Sequence, residues 1–191
     1  MTFTSADRTY RADELLALSQ SGHYQHQRIE LSEGRLIVMS PASMKHGIIA
    51  HRFGVRIGVF VESHPIGYVT AAETGYVLHT SPDGRDTVRA PDVGFILAER
   101  LPDGVPETGF VPVPPDLAVE IISPSDAAPD VQRKVRDYVR AGTPLIWLVY
   151  PDSRTVSVIK QREMRLLEAN DTLDGGDVLP GLTIPLSPIW R

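Results

Sequence analysis

Asp116-Leu-Ala-Val-Glu-Ile-Ile-Ser-Pro-Ser-Asp-Ala-Ala-Pro-Asp-Val-Gln-Arg-Lys-Val-Arg-Asp-Tyr-Val-Arg-Ala-Gly-Thr-Pro-Leu-Ile-Trp-Leu-Val-Tyr150 is the stretch on which the fold turns. Its opening, Asp116 to Ile122, reads as a buried strand. A loop, Ser123 to Asp126, follows. From Pro129 to Gly142 the apolar residues Val131, Val135, Tyr138 and Val139 recur at i, i+4, i+7 and i+8, which is the core-facing stripe of a helix. Gly142 suits the C-cap. Pro144 to Tyr150 is a continuous apolar strand of the kind that occupies a sheet centre. Strand, helix, strand in this order implies one parallel crossover within an otherwise mixed sheet, so the class is α/β or α+β.

One residue in that helix breaks the pattern. Lys134 fills the vacant i+3 place in the apolar stripe, whereas Arg133, Arg136, Asp137 and Arg140 are expected mostly on the other side. A buried ammonium needs an anionic partner. Side chains alternate along a strand, so Leu117, Val119 and Ile121 share one face and Ala118, Glu120 and Ile122 the other. Glu120 is therefore desolvated, and is paired, protonated or metal-bound. A crossover helix packs back over its own sheet, which brings Lys134 toward Glu120. Asp92 opens another apolar strand, Val93 to Leu97, and is either a turn cap or a second site carboxylate. Two carboxylates can hold magnesium, which polarises a phosphoryl oxygen and acidifies a bound water. A nearby ammonium can orient the water or stabilise the developing charge. The competing reading is a buried Lys134–Glu120 ion pair with no catalysis.

The remaining chain supports this frame. A short helix is expected at Ala12 to Gln20 and a hairpin at Arg28 to Met39, turning at Ser32-Glu-Gly34. A longer helix spans Met44 to Glu62 with Ser43 as N-cap. Strands follow near Tyr68 to Ala71, Thr74 to His79, Val88 to Ala90 and Val93 to Leu97. Pro102 to Pro115 is a loop of the kind that rims active sites. Arg154 to Lys160 and Glu163 to Glu168 form a further pair, and the tail Leu179 to Leu186 is expected to be irregular and packed on the body.

At 191 residues the chain suits one domain, 1–191. Its net charge of -5 argues against broad, nonspecific nucleic-acid binding but leaves room for a local basic groove. With no cysteine there are no disulfides, no thiolate zinc sites and no cysteine nucleophile. No signal-peptide core and no apolar run of membrane-spanning length is present, so the expected location is the cytoplasm, away from membranes.

Several motifs together carry a resemblance. They are Pro91-Asp92-Val93; Asp116-Leu-Ala-Val-Glu120 through Ser125; Asp130-x-x-x-Lys134-x-x-x-Tyr138-x-x-x-Gly142; and Trp147-Leu-Val-Tyr-Pro151. Ile29-Glu30-Leu-Ser-Glu-Gly34, Ser40-Pro41, His46 and Leu179-Pro-Gly-Leu182 extend it over nearly the whole chain. The pattern resembles the Uma-type family of the PD-(D/E)xK restriction-endonuclease-like superfamily. The resemblance implies a mixed central sheet flanked by helices, a metal site at Asp92 and Glu120 taking Mg2+ or Mn2+, and a homodimer. One departure stands out. The superfamily lysine lies two residues after the glutamate, where this chain has Ile122, and within the family the role maps to Lys134.

Two further residues stay open. By resemblance Glu30 completes the acidic cluster; on pattern alone it is equally a solvent-facing strand glutamate. His46 either contacts a phosphate or is a structural histidine near a helix N-terminus. No phosphate-cradling glycine loop, helical zinc pair or nucleophile elbow is present. The expectation is a metal-dependent endonuclease acting on DNA, with Asp92, Glu120, Lys134 and Glu30 as site residues. Two other readings are a dimeric nucleic-acid-binding or scaffold protein without cleavage, and hydrolysis of a different phosphate ester.

Overall fold

A computed structural model of the protein describes residues 2–3, 8–24, 27–161 and 163–191. In chain order the elements are β1 (Thr2–Phe3), α1 (Ala12–Gln20), β2 (Arg28–Ser32), β3 (Arg35–Met39), α2 (Met44–Ser63), β4 (Gly67–Ala71), β5 (Tyr76–His79), β6 (Thr87–Arg89), β7 (Val93–Leu97), β8 (Leu117–Ile121), α3 (Ala128–Ala141), β9 (Leu145–Tyr150), β10 (Thr155–Lys160), β11 (Glu163–Leu167), β12 (Thr172–Asp174) and β13 (Thr183–Pro185). Single 3-10 turns occupy Ala98–Arg100 and Ser187–Ile189. No helix among the described residues is long and apolar enough to cross a membrane.

The class is α+β, with sheets flanked by three helices. The mixed sheet has six strands in the order β11-β10-β9-β8-β7-β4. Only β8 and β9 run parallel, joined by α3, with Glu120 opposite Leu148. This is the expected crossover. A second sheet, β1-β3-β2-β6-β5, is antiparallel and comes from the N-terminal half. The sequence pattern had these strands but not their separation into a sheet of their own.

Strand alternation builds the core on both faces of the six-stranded sheet. Leu117, Val119 and Ile121 pack with Trp147 and Val149 against Ile49, Phe53 and Ile57 of α2. Ala118 packs with Ile146 and Leu148 on the opposite face, beneath Tyr138 of α3. α1 covers the second sheet through Leu15 on Leu31, Leu36 and Val88.

Local chemistry sets the helix ends. Ser43 Oγ accepts a hydrogen bond from the His46 N–H at 3.3 Å, so α2 starts where a serine N-cap places it. α3 stops at Gly142, whose φ of 85° is the left-handed conformation that glycine adopts without a Cβ clash.

The tail differs from its expected irregularity. β12 and β13 pair over three residues, and Leu179, Leu182, Ile184, Leu186 and Ile189 all join the α2-side core. So short a pairing leaves almost no period-two signal in a proline- and glycine-rich sequence.

Phe53 anchors this core, its ring centroid 6.1 Å from that of Trp147. Phe53→Ala is expected to lower the unfolding free energy by about 3–5 kcal/mol. Urea unfolding followed by tryptophan emission checks this, with a red-shifted native spectrum as Trp147 loses its neighbour.

Candidate active site

β8 delivers Glu120 to the face beneath α3, and the first two contacts follow from helical spacing. Lys134 Nζ donates to Glu120 Oε2 at 2.6 Å, and one turn later Tyr138 OH donates to Glu120 Oε1 at 2.7 Å. All three side chains are buried. Lys134 Nζ also lies 3.5 Å from Glu30 Oε1, contributed by β2 of the other sheet. One ammonium therefore ties α3 to both sheets.

Glu30 is fully buried, which removes its solvent-facing reading. Its Oε2 accepts from Arg89 Nη1 at 2.9 Å and its Oε1 from the Ala90 N–H at 3.2 Å. Arg89 is also buried, and its Nε and Nη2 donate to Asp137 Oδ2 at 3.0 and 2.5 Å. Ser32 Oγ donates to the same oxygen at 2.9 Å. Asp137 is thus a correction: it was expected away from the Lys134 face, yet it lies buried beside it. It follows Lys134 by three residues, a spacing that puts both on one side of the helix.

Asp92 stands just before β7 and serves two purposes. Its Oδ2 accepts from the Ile121 N–H at 2.8 Å, capping the end of the β7–β8 ladder, and lies 3.2 Å from His46 Nε2. Its Oδ1 accepts from Arg28 Nη1 at 3.0 Å. Arg28 Nη2 is 3.5 Å from Glu30 Oε1, which closes a connected network. His46 is held by Asp92, so its partner is a carboxylate of this network.

Asp92, Glu120, Lys134 and Glu30 all line one cleft of about 1520 Å³, together with Arg28, His46 and Tyr138. α2, β4 and the 123–126 loop form its walls, and Phe110 from the proline-rich loop reaches its edge. Gly47 and Gly58 of α2 are among the wall residues, and a Cβ added at either would meet nothing within 4 Å.

Electrostatics divide the carboxylates. For Glu30, burial opposes ionisation, but Lys134, Arg89 and Arg28 outweigh it and hold the carboxyl at about 2. Asp92 is likewise buried, yet the His46 hydrogen bond, Lys134 and Arg28 keep it below the ordinary carboxylate range. Glu120 goes the other way. Burial pushes it up to about 7, Lys134 opposes, and Asp92 and Glu30 push further. His46 is raised by its hydrogen bond to Asp92. Tyr138 is raised well above its ordinary value by burial and by Glu120, so it stays a neutral donor.

Arg28 and Arg89 are absent from the expected site residues, and Tyr138 entered the expectations as an apolar stripe residue and a motif position, not as a site residue. The available signal was Val88-Arg89-Ala90, an arginine inside an apolar strand just before Pro91-Asp92. Among the described residues, no three histidine, aspartate or glutamate side chains form a group able to hold a metal ion by themselves.

The Uma2 family, described as a putative restriction endonuclease, matches residues 12–187. The chain belongs to the Uma2 family. A similar solved structure is that of a putative nuclease belonging to DUF820 from Anabaena variabilis. It is 23% identical, with a TM-score of 0.71, and the match covers 85% of this chain and 89% of that one. That likeness shows a shared fold. No curated protein matches. The Uma2 match spans every element that contributes a side chain to the cleft network.

Two outcomes follow from the buried charges. Asp137→Ala strands the Arg89 guanidinium and is expected to cost about 3–5 kcal/mol in urea unfolding. Glu120 has a folded value above its ordinary 4.5, so the folded state binds that proton more tightly than the unfolded chain does. Its contribution is complete below pH 4.5 and is lost as pH rises through about 7. Unfolding in EDTA across this window is expected to show that decline in the wild type and not in Glu120→Gln.

Proposed function

We propose that this protein is a divalent-metal-dependent nuclease that hydrolyses DNA phosphodiester bonds in the cleft, with Asp92 and Glu120 as metal ligands, Lys134 as the cationic catalytic group and Glu30 as its support. The observation that carries the reading is the charge of the network. Three cations, Arg28, Arg89 and Lys134, face four carboxylates, Glu30, Asp92, Glu120 and Asp137. With His46 neutral the cluster is one positive charge short, and the raised Glu120 is where the shortage falls; a protonated His46, favoured by Asp92, supplies the fourth cation.

Asp92 and Glu120 suit Mg2+ or Mn2+ in donor chemistry, since hard cations prefer carboxylate oxygen. Two protein carboxylates are enough for magnesium when waters and substrate phosphate complete the shell, which fits the lack of a three-residue ligand group among the described residues. When bound, the ion would polarise the phosphoryl oxygen and acidify a water.

The chain's own groups supply the rest. Tyr138 and Lys134 fix the two oxygens of Glu120. The Ile121 N–H and His46 orient Asp92. The Lys134 ammonium, held between Glu120 and Glu30, donates to the attacking water or to a phosphate oxygen gaining charge. The bare glycine positions of α2 let a nucleic-acid backbone approach the cleft wall. A homodimer is the proposed acting unit, and sedimentation velocity tests it.

A non-cutting relative that binds nucleic acid, or a dimeric scaffold, is the second reading. The short Lys134–Glu120 hydrogen bond favours it, because it neutralises the carboxylate without a metal.

Plasmid nicking with Mg2+ or Mn2+ separates the readings. Cleavage by the wild type, abolished by EDTA and reduced ~10²–10³-fold in Asp92→Asn and Lys134→Ala, is expected for the nuclease. Cleavage that survives both substitutions overturns the site, and no cleavage by the wild type favours the second reading.

A further inference from the structure

We infer that Arg28 is the residue that grips the substrate phosphodiester, and that its contacts with Asp92 and Glu30 are a resting position it leaves when substrate or metal enters. This assignment rests on the nucleic-acid reading of the cleft. It starts from the unequal use of the three cations. Arg89 has a side chain only 1% exposed and spends three hydrogen bonds on Asp137 and Glu30. Lys134 is 8% exposed and bound to Glu120 at 2.6 Å. Arg28 is 21% exposed and lines the cleft. Among the described residues its guanidinium makes one hydrogen bond, to Asp92 Oδ1 at 3.0 Å, and one longer ionic contact, to Glu30 at 3.5 Å.

A guanidinium carries five N–H donors in a planar fork that matches two oxygens of a phosphate. The neighbouring carboxylates, Glu30, Asp92 and Glu120, keep Arg28 charged despite its burial. It sits at the first residue of β2, so its backbone is held by the pairing of Arg28 with Met39 while the long side chain can swing. Its hydrogen-bond acceptor, Asp92 Oδ1, belongs to a proposed metal ligand. The other oxygen of that carboxylate already accepts from the Ile121 N–H and neighbours His46. Arg28 and a divalent cation therefore compete for Oδ1, and the entry of the cation releases the guanidinium toward the substrate phosphate.

The competition predicts opposite effects of one substitution. In Arg28→Gln, binding of a short fluorescein-labelled DNA duplex in EDTA, read by anisotropy, is expected to weaken about tenfold. Binding of Mn2+ alone, read by calorimetry, is expected to tighten by at least a few-fold because a competing cation is gone. Arg28→Lys keeps the charge without the fork. It is expected to recover part of the DNA affinity and to return Mn2+ binding toward the wild type. A purely structural role for Arg28 weakens both bindings together, and that result overturns the inference, as does unchanged DNA affinity in Arg28→Gln. Should Arg28→Gln lose its native circular dichroism, Arg28→Lys decides: full wild-type DNA affinity in that variant rejects the fork. These readouts need no cleavage, so loss of the nuclease reading in the nicking assay and loss of the Arg28 assignment remain separate results.

Discussion

The Lys134 ammonium, lodged between Glu120 of one sheet and Glu30 of the other, is the constraint on which the architecture depends. Taking these charges out of water costs several kcal/mol per ion, recovered only when geometry and further hydrogen bonds are good. Here the surroundings supply them. Tyr138 satisfies the second oxygen of Glu120, the Ala90 N–H and Arg89 satisfy Glu30, and Asp137, which also accepts from Ser32, satisfies Arg89. Because Lys134, Asp137 and Tyr138 lie on one face of α3, the helix has a single rotation that meets all these partners. The second sheet docks through β2 and β6, whose side chains supply Glu30, Ser32 and Arg89.

The same arrangement leaves the site under tension. Asp92 and Glu30 are held as anions by cations around them, whereas Glu120 is pushed toward its neutral form by burial and by those two neighbours. With His46 neutral, the site has one carboxylate more than it has cations, which favours uptake of a cation, whether a proton on His46 or Glu120 or a metal. This property links the fold to the proposed chemistry, and it arises because residues from β2, β6, β8, α2 and α3 meet at the floor of one cleft.

Much of this was legible in the sequence where signals were local. The alternation across Asp116 to Ile122, the stripe in α3 and the short crossover between them place Glu120 and Lys134 face to face. Ser43 and Gly142 marked helix ends through cap chemistry. Ile122 packs with the α3-side core, and Lys134 reaches Glu120 from above. What escaped was long-range. Arg89 and Arg28 are ordinary strand residues until the second sheet folds against α3, and Asp137 looks like a surface charge until Arg89 meets it. Glu30 could face water or core, because a five-residue hairpin strand has no periodicity strong enough to choose. The β12–β13 pair is too short to leave a pattern.

The central claim is that Asp92 and Glu120 together hold a divalent cation at the cleft floor. Crystals soaked in Mn2+ and measured at its absorption edge test it most directly. The account predicts one anomalous peak at about 2.1–2.2 Å from a carboxylate oxygen of each residue, with the Lys134 ammonium still beside it. A fully soaked crystal with no peak there, and with Lys134 still bonded to Glu120 at its short distance, would contradict it.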